Sequence, residues 1–419
     1  MVSLFEKCIR ESEGERDVSE GTSLAEASRE HRILIWKFYL YRATLSEGFI
    51  YPIITLYLLS RGLSEGGVGL VNGLFFAGVV AAEIPTGYVG DKIGRRNSLI
   101  VSTLLMSISM FAFTVTGSLL GFAAVFVFWG VALTFRSGSG SAYLYDMLDE
   151  RLDTDEYTTI TGRGGAAFLV TSAVTSILGG YLYTIDRRIP FVAAGLITGS
   201  GALVLLSMPQ TEQYAAGEGG EAFSARDAWH TVRAKFLAPE LRLFIVYTAL
   251  LLSIPELADL YIQPIVVDAG VPEAWLGYLY AAFMLLTALA SYNIDRVRDA
   301  VGIGGWFAVA PILLAAVLAG MLVEPWLAIP GFVGMRIVKS LSYAFRGQYL
   351  NDHLPSLGRA TVLSTASMIY GVSFVVFRVG GGAVADTVGP ELAIVALAVV
   401  VATLSVLLQV VGTPVRPSD

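Results

Sequence analysis

The sequence predicts an all-α integral membrane protein with twelve transmembrane helices, arranged as two six-helix bundles related by pseudo-symmetry. Three observations predict this fold class: a composition poor in charge, long segments without ionisable residues, and a sequence repeat between the two halves. Of the 419 residues, 55% are hydrophobic and only 15% are charged, whereas about 25% of the residues in a typical soluble domain are charged. The low charge content indicates a surface that faces lipid, and it argues against a soluble enzyme.

The individual helices are predicted from the apolar segments. Five segments contain no ionisable residue: 97–135, 189–208, 275–294, 301–323 and 392–415. A helix needs about 20 residues to cross the hydrocarbon core, so the first of these segments can cross it twice. Turn residues and charges between the apolar segments predict helices over residues 33–60, 66–89, 97–116, 119–145, 161–185, 189–208, 242–266, 275–294, 302–323, 326–349, 361–385 and 390–412.

The chain divides at one long polar linker. We predict an N-terminal tail (1–32), an N-terminal bundle (33–208), a cytoplasmic linker (209–241), a C-terminal bundle (242–412) and a short C-terminal tail (413–419). We predict that both termini lie on the cytoplasmic side of the plasma membrane. In this orientation the cytoplasmic segments hold most of the loop cations, which is the distribution that membrane insertion favours. These cations are Lys92, Arg95, Arg96, Arg151, Arg226, Arg233, Lys235, Arg296, Arg298 and Arg359, against Arg61, Arg187 and Arg188 outside.

The two bundles repeat each other in sequence, in the same order and with a slowly drifting offset. The repeated pairs include Gly62-Leu-Ser-Glu65 with Gly270-Val-Pro-Glu273, Asp91-Lys92 with Asp295-Arg296, Phe135-Arg136 with Phe345-Arg346, and Gly180 with Gly380. Many secondary transporters are duplicated in this way and hold a substrate site near the midplane, between two halves that rock. The repeat therefore favours transport as the function.

A motif lies between the second and third predicted helices. Residues 87–96 read Gly-Tyr-Val-Gly-Asp-Lys-Ile-Gly-Arg-Arg, and they resemble the loop signature G-x-x-x-D-[RK]-x-G-R-[RK] of the major facilitator superfamily. The resemblance implies the twelve-helix fold of that family and a cytoplasmic gate. The gate residues would be Gly87, Asp91, Lys92, Gly94, Arg95 and Arg96. The simpler interpretation is a basic loop that only sets topology.

A second element of that family is partly present in the fourth predicted helix. Arg136 to Gly140 resembles the family's R-x-x-x-G element, with Ser139 where Gln is usual. The resemblance implies that Arg136 connects the Asp91 loop to the gate or to proton coupling, although an interfacial arginine reaching for water would look the same. Residues 141–146 and 359–364 resemble drug-export-type members. The fifth predicted helix, in contrast, lacks the proline of the family's antiporter motif before Gly179 and Gly180.

Ionisable residues at membrane depth are the candidate coupling or substrate residues, because charge is costly there. They lie on the first, seventh and tenth predicted helices, which line the central cavity in the resembled family. They are Arg42, Glu47, Glu256, Asp259, Arg336 and Lys339. A carboxyl group at this depth can load and release a proton, but the same charges can also form structural pairs. Both uses remain open.

The leading hypothesis is a proton-coupled secondary transporter that moves a small amphipathic or drug-like molecule outward. One alternative is proton- or sodium-coupled uptake of an anionic metabolite, with Arg42, Arg336 and Lys339 binding its charge. A further alternative is a membrane sensor that does not transport. The sequence contains no nucleotide-binding phosphate loop, metal-ligand cluster or catalytic triad, and its single cysteine, Cys8, cannot form an internal disulfide. We therefore expect a monomer in the lipid bilayer that is not an enzyme, needs no cofactor or metal, and binds no nucleic acid.

Overall fold

The computed structural model describes residues 29–151, 154–211, 239–354 and 359–411. Nearly all of them are helical. The predicted N-terminal tail up to residue 28, most of the predicted linker and the predicted C-terminal tail lie outside the described residues.

The N-terminal half contains eight helices in the described part of the chain. They are α1 (29–44), α2 (Ile54–Ser60), α3 (Glu65–Ile93), α4 (Arg95–Val115), α5 (Leu119–Ser137), α6 (Gly140–Arg151), α7 (Tyr157–Ile185) and α8 (Ile189–Leu206). The C-terminal half contains α9 (Pro239–Asp268), α10 (Leu276–Tyr292), α11 (Ile294–Ala319), α12 (Ala328–His353), α13 (Arg359–Val388) and α14 (Pro390–Val411). Short turns of 3₁₀-helix precede α7, α10 and α12.

Ten helical segments of the described chain are long and apolar enough to cross a membrane. The predicted all-α, multi-pass membrane fold is thereby confirmed, while the count of twelve stays a prediction. Two predicted spans fall outside the ten for physical reasons. The first is broken into α1 and α2, and α12 carries three cations along its length, Arg336, Lys339 and Arg346.

The break in the first predicted helix corrects the prediction of one continuous helix over 33–60. Residues 45–53 form turns between α1 and α2. Pro52 explains the break, because proline has no N–H and its ring clashes with the carbonyl four residues earlier, here that of Gly48. Gly48 in turn lies so close to α7 that a Cβ atom would overlap the carbonyl oxygen of Ser172.

Backbone conformation supports the duplication. Gly62 and Gly270 both have a positive φ, and so do Gly94 and Gly302. Both pairs are 208 positions apart (270 − 62 and 302 − 94). Left-handed turns that recur at one offset fix the register of the repeat, because other residue types rarely adopt that conformation.

The common offset changes one of the predicted pairs. At 208 positions, the counterpart of Asp91 is Asp299, not Asp295 as the local sequence match predicts. The two halves have equal numbers of residues between the paired glycines (94 − 62 = 32 and 302 − 270 = 32), and α11 is kinked at Gly302, the counterpart of Gly94.

The two halves meet along one face of the bundle, which the cation distribution predicts to be external and which we call the outer face. There α3 packs on α13 and α7 packs on α10. The backbones approach so closely that a Cβ atom on Gly69 would overlap the carbonyl of Arg378, and one on Gly277 that of Ser176. Such small residues are common where transmembrane helices pack tightly.

Hydrogen bonds join the halves along the same seam. Asp386 on α13 accepts hydrogen bonds from the Gly66 amide at 2.7 Å and from the Ser64 hydroxyl at 3.0 Å. The Tyr261 hydroxyl on α9 donates to the Glu65 carbonyl at 2.9 Å. Further hydrogen bonds and an ion pair join the halves in the outer half of the bundle, at Asn72, Gln263 and Arg187.

The opposite, inner face is different. Ile84 and Tyr88 near the inner end of α3 are exposed, as is Tyr292 at the inner end of α10. The two halves are thus closed against each other at the outer face, and α3 stays packed on α13 as far as Val80 and Gly371.

We expect Gly277→Ala to destabilise this closed outer face. The added methyl group has no room against Ser176, and overpacking of this kind costs about 1–3 kcal/mol, which shifts a two-state equilibrium roughly 5- to 150-fold. Spin labels on Ser118 and Val323, which are exposed at the outer ends of the two halves, should report a larger population at long distance.

Gly165→Ala is the matched control. A Cβ atom on Gly165 would meet nothing within 4 Å, so its distance distribution should match that of the parent. An unchanged distribution for Gly277→Ala would mean that the α7–α10 contact does not hold the outer face closed.

Candidate binding cavity

A cavity of about 600 Å³ lies between the two halves. The lining from the N-terminal half is mainly apolar and includes an aromatic wall, whereas the lining from the C-terminal half is mainly polar and charged. The aromatic wall comprises Phe75, Phe76, Phe126, Trp129 and Phe168. The polar wall comprises Glu256, Asp259, Gln263, Arg336, Lys339 and Arg378. The space can therefore hold a small molecule with one apolar and one polar side.

The break between α1 and α2 lies at the edge of this cavity and exposes backbone groups that a continuous helix would pair. Gln263 on α9 satisfies them. Its Oε1 accepts hydrogen bonds from the amides of Thr55 at 2.8 Å and Leu56 at 3.3 Å, and its Nε2 donates to the Tyr51 carbonyl at 2.6 Å. One side chain of the C-terminal half thus caps α2 in the N-terminal half, as broken membrane helices require.

The polar wall is organised by an ion-pair network. The Lys339 ammonium lies 2.6 Å from Glu256 and 2.6 Å from Asp259. Glu256 also pairs with Arg378 at 2.7 Å, and Asp259 with Arg336 at 3.0 Å. Each carboxylate therefore has two cationic partners, and the network connects α9 to both α12 and α13.

Aromatic rings support the two arginines of the network. The Arg336 guanidinium lies 5.3 Å from the ring centre of Tyr280 and 4.9 Å from that of Phe283. Arg378 lies 4.6 Å from the ring of Phe76 and donates to Asn72 at 3.3 Å, so that it also contacts the N-terminal half. Cation–π contacts of this kind gain strength where water is scarce.

The other carboxylate of the cavity is held more loosely. Glu47 lies within the break after α1 and has one cationic partner in the described chain, Arg136 on α5, at 3.7 Å. Its side chain is 23% exposed, against 11% for Glu256. At the offset of 208, Glu47 falls within one residue of Glu256, yet only Glu256 belongs to the short-range network.

The structure brings five of the six predicted cavity residues together. Glu47, Glu256, Asp259, Arg336 and Lys339 all line the space. Arg42 does not line the cavity. Its guanidinium lies 5.8 Å from the ring centre of Phe168, which is a lining residue.

The residues of the predicted gate motif lie at the inner end of α3 and the start of α4. Gly94 makes the left-handed turn, and Arg95 pairs with Asp146 of α6 at 2.8 Å. Arg96 donates to the Met208 carbonyl at 2.8 Å, and Lys92 lies 4.4 Å from the Tyr88 ring. Gly87 and Asp91 are exposed, and Gly140 begins α6. Arg136, predicted to act with this motif, points instead into the cavity toward Glu47.

Two residues of the polar wall, Arg378 and Gln263, were not among the predicted site residues. Arg378 carries a charge in an apolar helix, the same signal that identified the others. It lies ten residues before Val388, the outer end of α13, and its long side chain reaches Glu256. Gln263 is uncharged, and its role depends on a helix break that the sequence did not predict.

Two helical halves, closed at one face around a charged cavity between them, form the architecture of a secondary membrane transporter. The chain belongs to the Major Facilitator Superfamily, whose sequence profile matches residues 43–345. It is 21% identical over 378 residues to the uncharacterized MFS-type transporter YxaM of Bacillus subtilis (strain 168), which covers 86% of this chain and 92% of YxaM. It is 25% identical over 265 residues to the uncharacterized MFS-type transporter YcaD of Shigella flexneri serotype 5b (strain 8401). That alignment covers 62% of this chain and 64% of YcaD.

Solved structures share the fold. The nucleoside transporter NupG superposes with a TM-score of 0.69 at 12% identity, over 90% of this chain and 96% of that one. A bacterial homologue of the human lysosomal transporter Spinster, in an inward-facing and unoccupied conformation, superposes with a TM-score of 0.71 at 14% identity, over 94% and 99%. At these identities the likeness extends to the fold alone.

We expect Lys339→Met to destabilise the protein because it leaves Glu256 and Asp259 with one cation each. Removal of one partner of a buried pair costs about 3–5 kcal/mol, and the lower end applies because Lys339 is 22% exposed. The measurement is the free energy of unfolding in detergent. Lys339→Arg keeps the charge and should lose much less. Equal losses in both variants would show that the shape of the lysine, not its charge, matters.

Proposed function

We propose that this protein exports a small amphipathic molecule across the plasma membrane in exchange for protons, by alternating access. It would work as a monomer with both termini in the cytoplasm. The observation that carries the proposal is the cavity itself: it lies between the two halves, is closed toward the outer face, and joins an aromatic wall to a charged one. The outward direction rests on the resemblance of residues 141–146 and 359–364 to drug-export-type members.

The ion pairs favour Glu47 as the site of proton coupling. A proton that binds Glu47 disturbs one ion pair of 3.7 Å, whereas a proton on Glu256 or Asp259 would disturb two pairs of 3.0 Å or less. Glu47 also lies in a helix break, where the backbone has more freedom than within a helix. We therefore assign Glu256 and Asp259 to holding the polar wall, and Glu47 to carrying the proton.

Everted membrane vesicles with a pH-sensitive dye test the direction and the coupling ion together. With a proton gradient imposed, an exported compound should collapse the gradient only in vesicles that contain the protein. Compounds that collapse it only in right-side-out vesicles would indicate uptake instead. No response to a broad panel in either orientation would favour a sensor.

We expect Glu47→Gln to abolish gradient-driven accumulation while substrate exchange continues, because exchange needs no net proton movement. Accumulation and exchange are measured on the same proteoliposomes. Glu324→Gln, a change of the same kind in an exposed loop, is the matched control and should transport normally. Normal gradient-driven transport by Glu47→Gln would remove this acid as the coupling site.

We expect Asp91→Asn to favour the conformation that is open at the inner face. A charge-assisted hydrogen bond contributes about 1.5–3 kcal/mol, and its loss from a closed inner gate shifts the equilibrium roughly 10- to 150-fold. In a Cys8→Ser background, a cysteine at Leu133 in the cavity should label faster in Asp91→Asn. Asp149→Asn, at another exposed acid of the predicted cytoplasmic side, should leave the rate unchanged. If Asp91→Asn labels and transports like the parent, the motif only sets topology.

A further inference from the structure

The cavity carries an excess of positive charge. Its lining contains four cationic side chains, Arg136, Arg336, Lys339 and Arg378, and three carboxylates, Glu47, Glu256 and Asp259. All three carboxylates already have cationic partners within 4 Å. One positive charge of the lining therefore has no carboxylate to balance it.

Two more arginines flank the cavity on its inner side. Arg42 precedes Glu47 on α1 and lies beside the lining residue Phe168. Arg346 follows Lys339 on α12 and lies over the rings of Tyr343 and Tyr370, at 4.6 and 4.3 Å. Neither forms an ion pair within the described residues. A molecule that enters from the inner face thus passes further cations before it reaches the charged wall.

An unbalanced charge at membrane depth is costly, because the surrounding protein and lipid solvate it poorly. A bound anion removes this cost, whereas a bound cation increases it. We propose that the transported molecule is an amphipathic organic anion with one acidic group, such as an aromatic carboxylate. This inference rests on the proposed function, in that the cavity is taken as the transport site. It holds for either direction of transport and for any coupling ion.

The contacts place the acidic group at Arg336 and Lys339. The Arg336 guanidinium lines the cavity and uses one nitrogen for Asp259. A planar guanidinium held against aromatic rings matches the geometry of a carboxylate. The apolar body of the same molecule would then lie against the opposite wall, where Phe75 packs on Trp129 with ring centres 5.4 Å apart.

The charge of the cavity can be measured without knowing the substrate. In a Cys8→Ser background, Leu133→Cys places a thiol on the aromatic wall. Its reaction rates with anionic and with cationic methanethiosulfonate reagents are each divided by the rates for free N-acetylcysteine. A net positive charge in a cleft with low-dielectric walls raises the local concentration of anions and lowers that of cations. We therefore expect the anionic reagent to be favoured over the cationic one.

Two variants show where the preference comes from. Arg336→Gln should reduce it, whereas Arg188→Gln, which removes an exposed arginine at the outer face, should not. A preference for the cationic reagent, or none, would overturn the proposal.

The same cysteine then reports the charge of the occupant. Three compounds of matched shape, 2-naphthoate, 2-naphthamide and 2-naphthylmethylammonium, are tested at equal concentration for protection against a neutral thiol reagent. We expect the carboxylate to protect best in the parent protein and to lose this advantage in Arg336→Gln. Best protection by the ammonium compound, or equal effects of all three, would show the proposal to be wrong.

Both measurements are made on purified protein in detergent without a gradient. A failure of proton-coupled export would therefore leave their results intact, and a wrong substrate charge would leave the coupling experiments intact.

Discussion

Charge compensation inside the membrane is the constraint on which the rest of this structure depends. Two carboxylates on α9 and three cations on α12 and α13 lie where isolated charges would be strongly disfavoured. Their mutual pairing makes the polar wall of the cavity possible, and it fixes the relative positions of three helices. The aromatic wall opposite needs no such compensation. The amphipathic character of the cavity thus follows from the assignment of buried charge mainly to one half of a duplicated protein.

The broken first span depends on the same opposition of the two halves. Its free amides and carbonyl have no water to bind at this depth, so they need partners from protein. Gln263 supplies them from the other half. The contact therefore joins the halves while it satisfies a local backbone requirement. Asp386 does the same for the first turn of α3. In both cases, the outer closure is made by side chains that cap helices across the interface.

Much of the fold could be predicted from the sequence because apolar segments and their punctuation report directly on membrane crossings. Glu256, Asp259, Arg336 and Lys339 were identifiable for an equally direct reason, since a charge in an apolar helix needs a partner. The position of the charged end of a long side chain was not predictable. Arg378 and Arg136 each point toward the middle of the membrane, and counting along a helix locates the backbone alone. The break at residues 45–53 was also missed. Proline and glycine, here Pro52 and Gly48, are common in membrane helices, so their presence alone does not predict a break.

Glu47 and Glu256 lie within one residue of each other in the register of the repeat, but their mechanical surroundings are very different. Glu256 belongs to α9, which stays helical through Pro255 and Pro264. Its ion pairs with α12 and α13 restrain this part of the C-terminal half. Glu47 lies in the segment of turns that interrupts the helix between α1 and α2, which gives that region higher compliance. When the bundle changes shape, deformation should concentrate in the softer half. The two halves of the duplicated protein thus differ in stiffness: ion pairs restrain α9, whereas the break at residues 45–53 can bend.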